Sequence, residues 1–132
     1  MKLNEKKLGI WMDHSTANII EFTLDPMTTE TIHSKFTHEV KENTLSKSEN
    51  LMHNKEQNQQ AEYYKELASK IRNYSVVLIF GPTNAKTELY NFIKNNHLFN
   101  DIKIEIKQTD KMTDKNQHEF VREYFSNTYH SI

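Results

Sequence analysis

One stretch restricts the fold of this 132-residue chain more than any other: SVVLIF at 75–80, stopped at once by Gly81-Pro82. A strand with one wet face alternates apolar and polar residues, and this run does not alternate. It has the pattern of a strand covered on both faces, which requires helices above and below a sheet. Pro82 removes a backbone donor, so the strand cannot continue through it, yet a first helical turn accepts it.

The neighbouring segments fit that demand. Residues 8–14 (LGIWMDH) and 17–24 (ANIIEFTL) are rich in strand formers and joined by the short polar stretch 13–16, which reads as a hairpin. Asp25-Pro26 marks a turn. Residues 29–36 (TETIHSKF) alternate with period two and form a third strand. Residues 37–54 are polar and aperiodic, and read as a long exposed loop with Val40, Leu45, Leu51 and Met52 as its apolar contact points. Residues 55–73 form a helix with Ala61, Tyr64, Leu67, Ala68 and Ile71 on one stripe. A second helix carries Ala85, Leu89, Phe92, Ile93 and His97. Residues 102–106 (IKIEI) make a strand. Thr113 and Asp114 open a third helix, with Val121, Tyr124, Phe125 and Thr128 facing inward.

The order β-β-β-α-β-α-β-α in one domain, 1–132, is that of ribonuclease-H-like domains. It implies an α/β fold with a five-stranded mixed sheet, order 3-2-1-4-5, and helices on its faces. The expected core comprises Ile10, Ile20, Val77, Ile79, Leu89, Ile93, Ile104, Val121 and Phe125.

Composition removes several functions. Seventeen basic and 18 acidic side chains leave a formal charge of −1, so the electrostatic argument for non-specific nucleic-acid binding fails. Fifteen of the basic residues are Lys and two are Arg, a poor set for bidentate reading of guanine, so sequence-specific DNA binding is not expected. No cysteine is present, which excludes disulfides and thiolate chemistry. Glycine occurs only at Gly9 and Gly81, too few for a phosphate-cradling loop. No apolar run is long enough to span a membrane, and residues 1–11 lack a signal-peptide core. A cytoplasmic protein is expected.

In such a sheet strands 1, 4 and 5 run parallel and their carboxyl ends share a rim where α/β proteins bind ligands. That rim collects Asp13, His14, Gly81, Thr83, Asn84 and Asp110, with Lys86 in the first turn of the following helix. A helix N-terminus there favours an anion. Gly81-Pro82 is also an ordinary strand-to-helix turn, with Thr83 or Asn84 as cap. A two-metal nuclease would need converging carboxylates. Asp13, Glu62 or Glu66, and Asp110 or Asp114 are the available acids, but strand 4 ends without one. The seven histidines form no i, i+4 pair and no HExxH, so no metal site and no cofactor is expected. Trp11, Tyr63, Tyr64, Tyr74, Tyr90 and Phe99 lack a basic groove around them, which favours packing over base stacking.

Three stretches carry a resemblance: GIWMDHSTANIIEF (9–22), VVLIFGPTNAKTEL (76–89) and IEIKQTDKMTDKNQHEFV (104–121). In their order and spacing the chain resembles the middle domain of archaeal and eukaryotic peptide-chain release factors and of Pelota, and above all their stand-alone bacterial relatives. In release factors that domain carries a Gly-Gly-Gln loop between strand 3 and the first helix, which supports peptidyl-tRNA hydrolysis. The matching stretch here, 37–60, holds Gln57, Gln59 and Gln60 but no glycine. No catalytic residue carries over, as in Pelota, which also lacks the motif. The resemblance implies a translation-related module that contacts ribosome or tRNA without hydrolysing peptidyl-tRNA. Two alternatives stand beside it: a protein-interaction domain using the 37–54 loop, unrelated to the ribosome, and a metal-dependent nuclease or phosphohydrolase at the Asp13 rim.

Overall fold

The computed structural model describes residues 6–22, 29–34 and 49–128, without the side chains of 49–59 and 127–128. Val40 and Leu45, like the Asp25-Pro26 turn, lie outside the described residues.

Among the described residues, five strands and three helices follow one another in the order the sequence implies. The strands are β1 (Lys7–Met12), β2 (Thr16–Glu21), β3 (Thr29–His33), β4 (Val76–Gly81) and β5 (Lys103–Gln108). The helices are α1 (Glu49–Ile71), α2 (Ala85–Ile93) and α3 (Asp114–Thr128), with a 3₁₀ turn at His97–Phe99 between α2 and β5. The sheet order is β3-β2-β1-β4-β5. β1 is central: antiparallel to β2, with Ile10 opposite Ile19, and parallel to β4, with Ile10 opposite Ile79. β2 pairs antiparallel with β3, and β4 parallel with β5. The expected α/β fold with a mixed five-stranded sheet is therefore the observed one.

Strand alternation sorts the core into two layers. One face of the sheet presents Leu8, Ile10, Met12, Ile19, Val77 and Ile79 to Tyr63, Tyr64, Leu67 and Ile71 of α1 and Leu89 and Ile93 of α2. The opposite face presents Trp11, Ile20, Val76, Leu78 and Phe80 to Val121 and Phe125 of α3. All six residues of β4 are buried, as the unbroken SVVLIF run requires. Of the expected core only Ile104, on the edge strand β5, is partly buried.

Four expectations change, one being that α2 ends at Ile93, so that His97 lies exposed in the 3₁₀ turn beyond it. α1 begins at Glu49 rather than 55, so residues 49–54, including Leu51 and Met52, are helix and not loop. No Gly or Pro interrupts residues 49–71, and once 60–71 is anchored on the sheet each added residue gains a backbone hydrogen bond at little cost. Ala61 is exposed and Tyr63 is buried in its place, because the stripe of α1 runs through 63, 64, 67, 68 and 71. Phe92 is 47% exposed, resting on the Tyr64 ring 6.2 Å away instead of reaching the core.

Candidate ligand rim

Because β1, β4 and β5 run parallel, their carboxyl ends converge on one edge. The chain turns there at Gly81, whose φ of +154° lies in the region that disfavours side chains. A Cβ at this position would stand 2.1 Å from the Met12 carbonyl oxygen. The approach of β1 to β4 thus requires glycine here. Beyond it, Thr83 Oγ1 accepts a bond from Ala85 N at 3.2 Å and closes the first turn of α2. Asn84 occupies the N-cap position without a side-chain capping bond and is exposed.

Lys86 does not stand free at the helix start. It is 3% exposed. Its Nζ donates to Thr83 O and, at 2.7 Å, to Gln108 Oε1, while Gln108 Nε2 donates to Pro82 O at 3.1 Å. Burial pushes its pKa below the usual lysine value. A buried cation near a helix N-terminus opposes the helix dipole, and these two oxygens compensate it. Lys86 therefore ties the β4–α2 turn to the end of β5.

Asp13 shapes the hairpin: one carboxylate oxygen accepts Ser15 N and Thr16 N, both at 2.8 Å. Around it the rim is laced to the helices. Tyr63 OH donates to Asp13 O at 2.9 Å, and Gln60 Nε2 to His14 O at 3.3 Å. His14 Nε2 lies 3.3 Å from Glu88 Oε2, and Tyr64 OH donates to Glu88 Oε1 at 2.5 Å. Burial, with the nearby Asp13 and Tyr64, raises the Tyr63 pKa. Burial and the Glu88 bond raise that of Tyr64. Burial alone would raise the Glu88 pKa, but the bonds from Tyr64 and His14 hold its carboxyl below the ordinary value.

Of the rim residues expected from sequence, the structure joins Asp13 and His14 to α1 and α2, and Lys86 to both Thr83 and Gln108. Asp110 lies past β5, exposed. Among the described residues no three of His, Asp or Glu are grouped to hold a metal ion. Asp13, Glu62, Glu66, Asp110 and Asp114 thus do not converge on one ion. A cavity of about 320 Å³ lies between the carboxyl end of β3 and α1, lined by His33, Glu62, Tyr63 and Glu66. Sequence reading missed Glu88, Gln108 and Gln60 as partners. Gln108 had a findable signal, since pairing β5 with β4 sets it beside Gly81. The tyrosine pair had another: two adjacent aromatics on a charged helix mark a stripe wide enough to bury both.

No protein-family model and no curated protein sequence matches this chain. Solved structures do. Pelota of Archaeoglobus fulgidus superimposes with a TM-score of 0.60 at 10% identity, covering 92% of this chain and 32% of that one. Pelota of Thermoplasma acidophilum gives 0.55 at 14% identity, covering 94% and 32%. The archaeal translation termination factor aRF1 gives 0.55 at 12% identity, covering 96% and 35%. The chain spans about a third of each of these proteins. At such identities the likeness is one of fold: the chain has the architecture of a Pelota and aRF1 domain.

Proposed function

We propose that the chain is a non-catalytic translation-related module that contacts the ribosome or tRNA in the cytoplasm, as a counterpart of the stand-alone bacterial relatives that the sequence resembles. The observation that carries this reading is the fold likeness to Pelota and aRF1 over more than nine-tenths of the chain. The placement of the glutamines supports the absence of hydrolysis. Gln57, Gln59 and Gln60 lie within α1, whose backbone is helical from Glu49 onward. Release chemistry needs a narrow loop that brings a backbone donor and a water to the ester. A continuous helix without glycine has no such loop.

The same helix supplies a contact surface. Gln60 bonds to His14 O at the rim, and Ile71 lies near the opposite end of the sheet, where Tyr74 N bonds to Ile71 O and Ser75 N to Lys6 O. Residues 49–59 therefore extend past the rim, by about 16 Å at 1.5 Å per residue. With a formal charge of −1, recognition through this projection rests on shape and local polar contacts, not on bulk phosphate attraction.

Pelleting ribosomes at low salt from growing and starved cells tests the reading. The protein is expected in the ribosome pellet in at least one state. Its recovery only in the supernatant of both would overturn the proposal and leave the protein-interaction alternative.

A further inference from the structure

β5 ends the sheet, and among the described residues no strand pairs with its outer edge. The direction of its free hydrogen-bonding groups follows from its inner pairing. Lys103 N bonds to Ser75 O at 3.0 Å and Thr109 N to Gly81 O at 3.1 Å. In a parallel ladder alternate residues serve one neighbour, so the odd residues of β5 face β4. The N–H and C=O groups of Ile104 and Ile106 face outward. The even side chains lie on the face covered by α1 and α2, with Ile102 and Ile104 packed against that core. The odd ones, Lys103, Glu105 and Lys107, lie on the α3 face, where Tyr124 OH bonds to Glu105.

We infer that β5 is an interface for a second copy of this chain, paired antiparallel about a two-fold axis at Ile104. The outward groups meet only where even residues oppose even residues, so the two-fold axis passes through a residue and not between two. Centred on Ile104, each copy exchanges N–H···O bonds at Ile104, and Ile106 N donates to the partner's Ile102 O. The Ile102 N–H is already given to Phe99 O at 3.1 Å, so it makes no demand on the interface. On one face this register sets Ile102 opposite Ile106 twice. On the other it sets Lys103 opposite Glu105 twice and brings Asp101 toward Lys107. A register centred on Glu105 would satisfy the backbone equally but would oppose Lys103 to Lys107 and Glu105 to itself, and one centred on Ile106 would set Ile104 against Gln108 and Ile102 against Asp110. Cross-strand pairs of opposite charge stabilise a ladder and like pairs destabilise it, so the sequence DIKIEIK selects its own register.

A shallow pocket also awaits the partner. Beside the edge, Tyr90, Ile93, Phe99, Ile102 and Ile104 line a space of about 230 Å³. Ile106, half-buried and outside both core clusters, is brought by the two-fold axis onto Ile102 at its margin. The ten-stranded sheet that results buries a modest area, so the dimer belongs with weak, concentration-dependent assemblies. This inference does not depend on the translation reading.

Sedimentation equilibrium of the full chain across a range of concentrations tests it, with circular dichroism to report folding. The wild type is expected to pass from monomer to dimer. Lys103→Glu and Glu105→Lys each turn two attractive pairs into two repulsive ones, and each alone is expected to weaken self-association about tenfold or more. Mixed in equal amounts, the two variants regain complementarity and are expected to form a heterodimer, as the double variant K103E/E105K is to form a homodimer. A wild type monomeric at every concentration would overturn the inference. So would a dimer indifferent to both reversals, or one that neither mixing nor the double variant restores.

Discussion

The two faces of the sheet are covered by different physics. Against α1 and α2 lies a broad layer in which nearly every contact is apolar, and its tyrosines reach past it to bond Asp13 O and Glu88 at the rim. Against α3 lies a smaller, aromatic layer, with the Phe80 and Phe120 rings tilted against each other at 4.7 Å and those of Phe22 and Phe125 at 5.3 Å. A polar chain, buried at Asn18 and Gln117, runs through that second layer. Thr31 Oγ1 donates to Asn18 Oδ1 at 2.9 Å, Asn18 Nδ2 to Gln117 Oε1 at 2.8 Å, and Gln117 Nε2 to Met112 O at 3.0 Å. Trp11 Nε1, in the same layer, has no hydrogen-bond partner among the described residues. Two helices can be held by area alone. A single helix has less area to offer, and directional bonds fix where it sits.

The largest effect separates the faces by what each cannot tolerate. Leu67→Ala empties a fully buried site on the α1/α2 face, with an expected loss of about 2–5 kcal/mol in denaturant unfolding. The α3 face is instead sensitive to addition. Gly9 lies under Val121, and a Cβ there would stand 2.3 Å from Val121 Cγ2. Gly9→Ala is expected to cost about 1–3 kcal/mol. Because the obstacle is a side chain, adding Val121→Ala to Gly9→Ala should cost less than the sum of the two single changes. Strict additivity would show that the close approach of α3 is not what glycine serves.

Next in size is the polar chain. Asn18→Leu or Gln117→Leu alone strands a buried partner and is expected to cost about 1–3 kcal/mol. The double variant should lose less than the sum, with a coupling of about 1 kcal/mol in a double-mutant cycle. Absence of coupling would reduce the contrast between the faces to one of area.

These contrasts mark what the sequence made legible. The α1/α2 face and β4 follow from periodicity and from the unbroken SVVLIF run, since apolar burial leaves a spacing signal. Asn18 and Gln117 left none, and Gln108 shows only through the β4–β5 pairing that sets it beside Gly81. Their partners are fixed only once strand register is set, and a lone amide in a strand or helix looks the same whether buried or wet. The rim was legible as a place and less so as chemistry. Parallel strands brought Asp13, Gly81 and Lys86 to one edge, but the partners of Lys86, Thr83 and Gln108, were not readable there. The start of α1 was illegible because polar helix formers propagate a helix without any apolar period.

The smallest expected effect is that of pH. At the rim of the first face Glu88 is held below its ordinary value by Tyr64 and His14. On the second, Glu105 is held down first by Tyr124 and then by Lys107. A carboxyl whose folded pKa is depressed adds stability above its unfolded pKa and loses it as pH falls through the folded one. Thermal midpoints should therefore be flat near neutrality and fall once pH drops below about 4.5, the ordinary value for both groups. The fall should be shallower in Glu88→Gln and in Glu105→Gln, each removing its own share. An unchanged acid profile in both would show that these bonds contribute nothing to stability.

The central claim is a translation-domain scaffold that binds without cleaving. Its most direct test is to incubate the purified protein with ribosomes carrying labelled peptidyl-tRNA, then follow protein and label through pelleting. The account predicts protein in the ribosome pellet and label still attached to tRNA. Protein left in the supernatant, or labelled peptide released above background and lost in Gln57→Ala or Gln59→Ala, would contradict it.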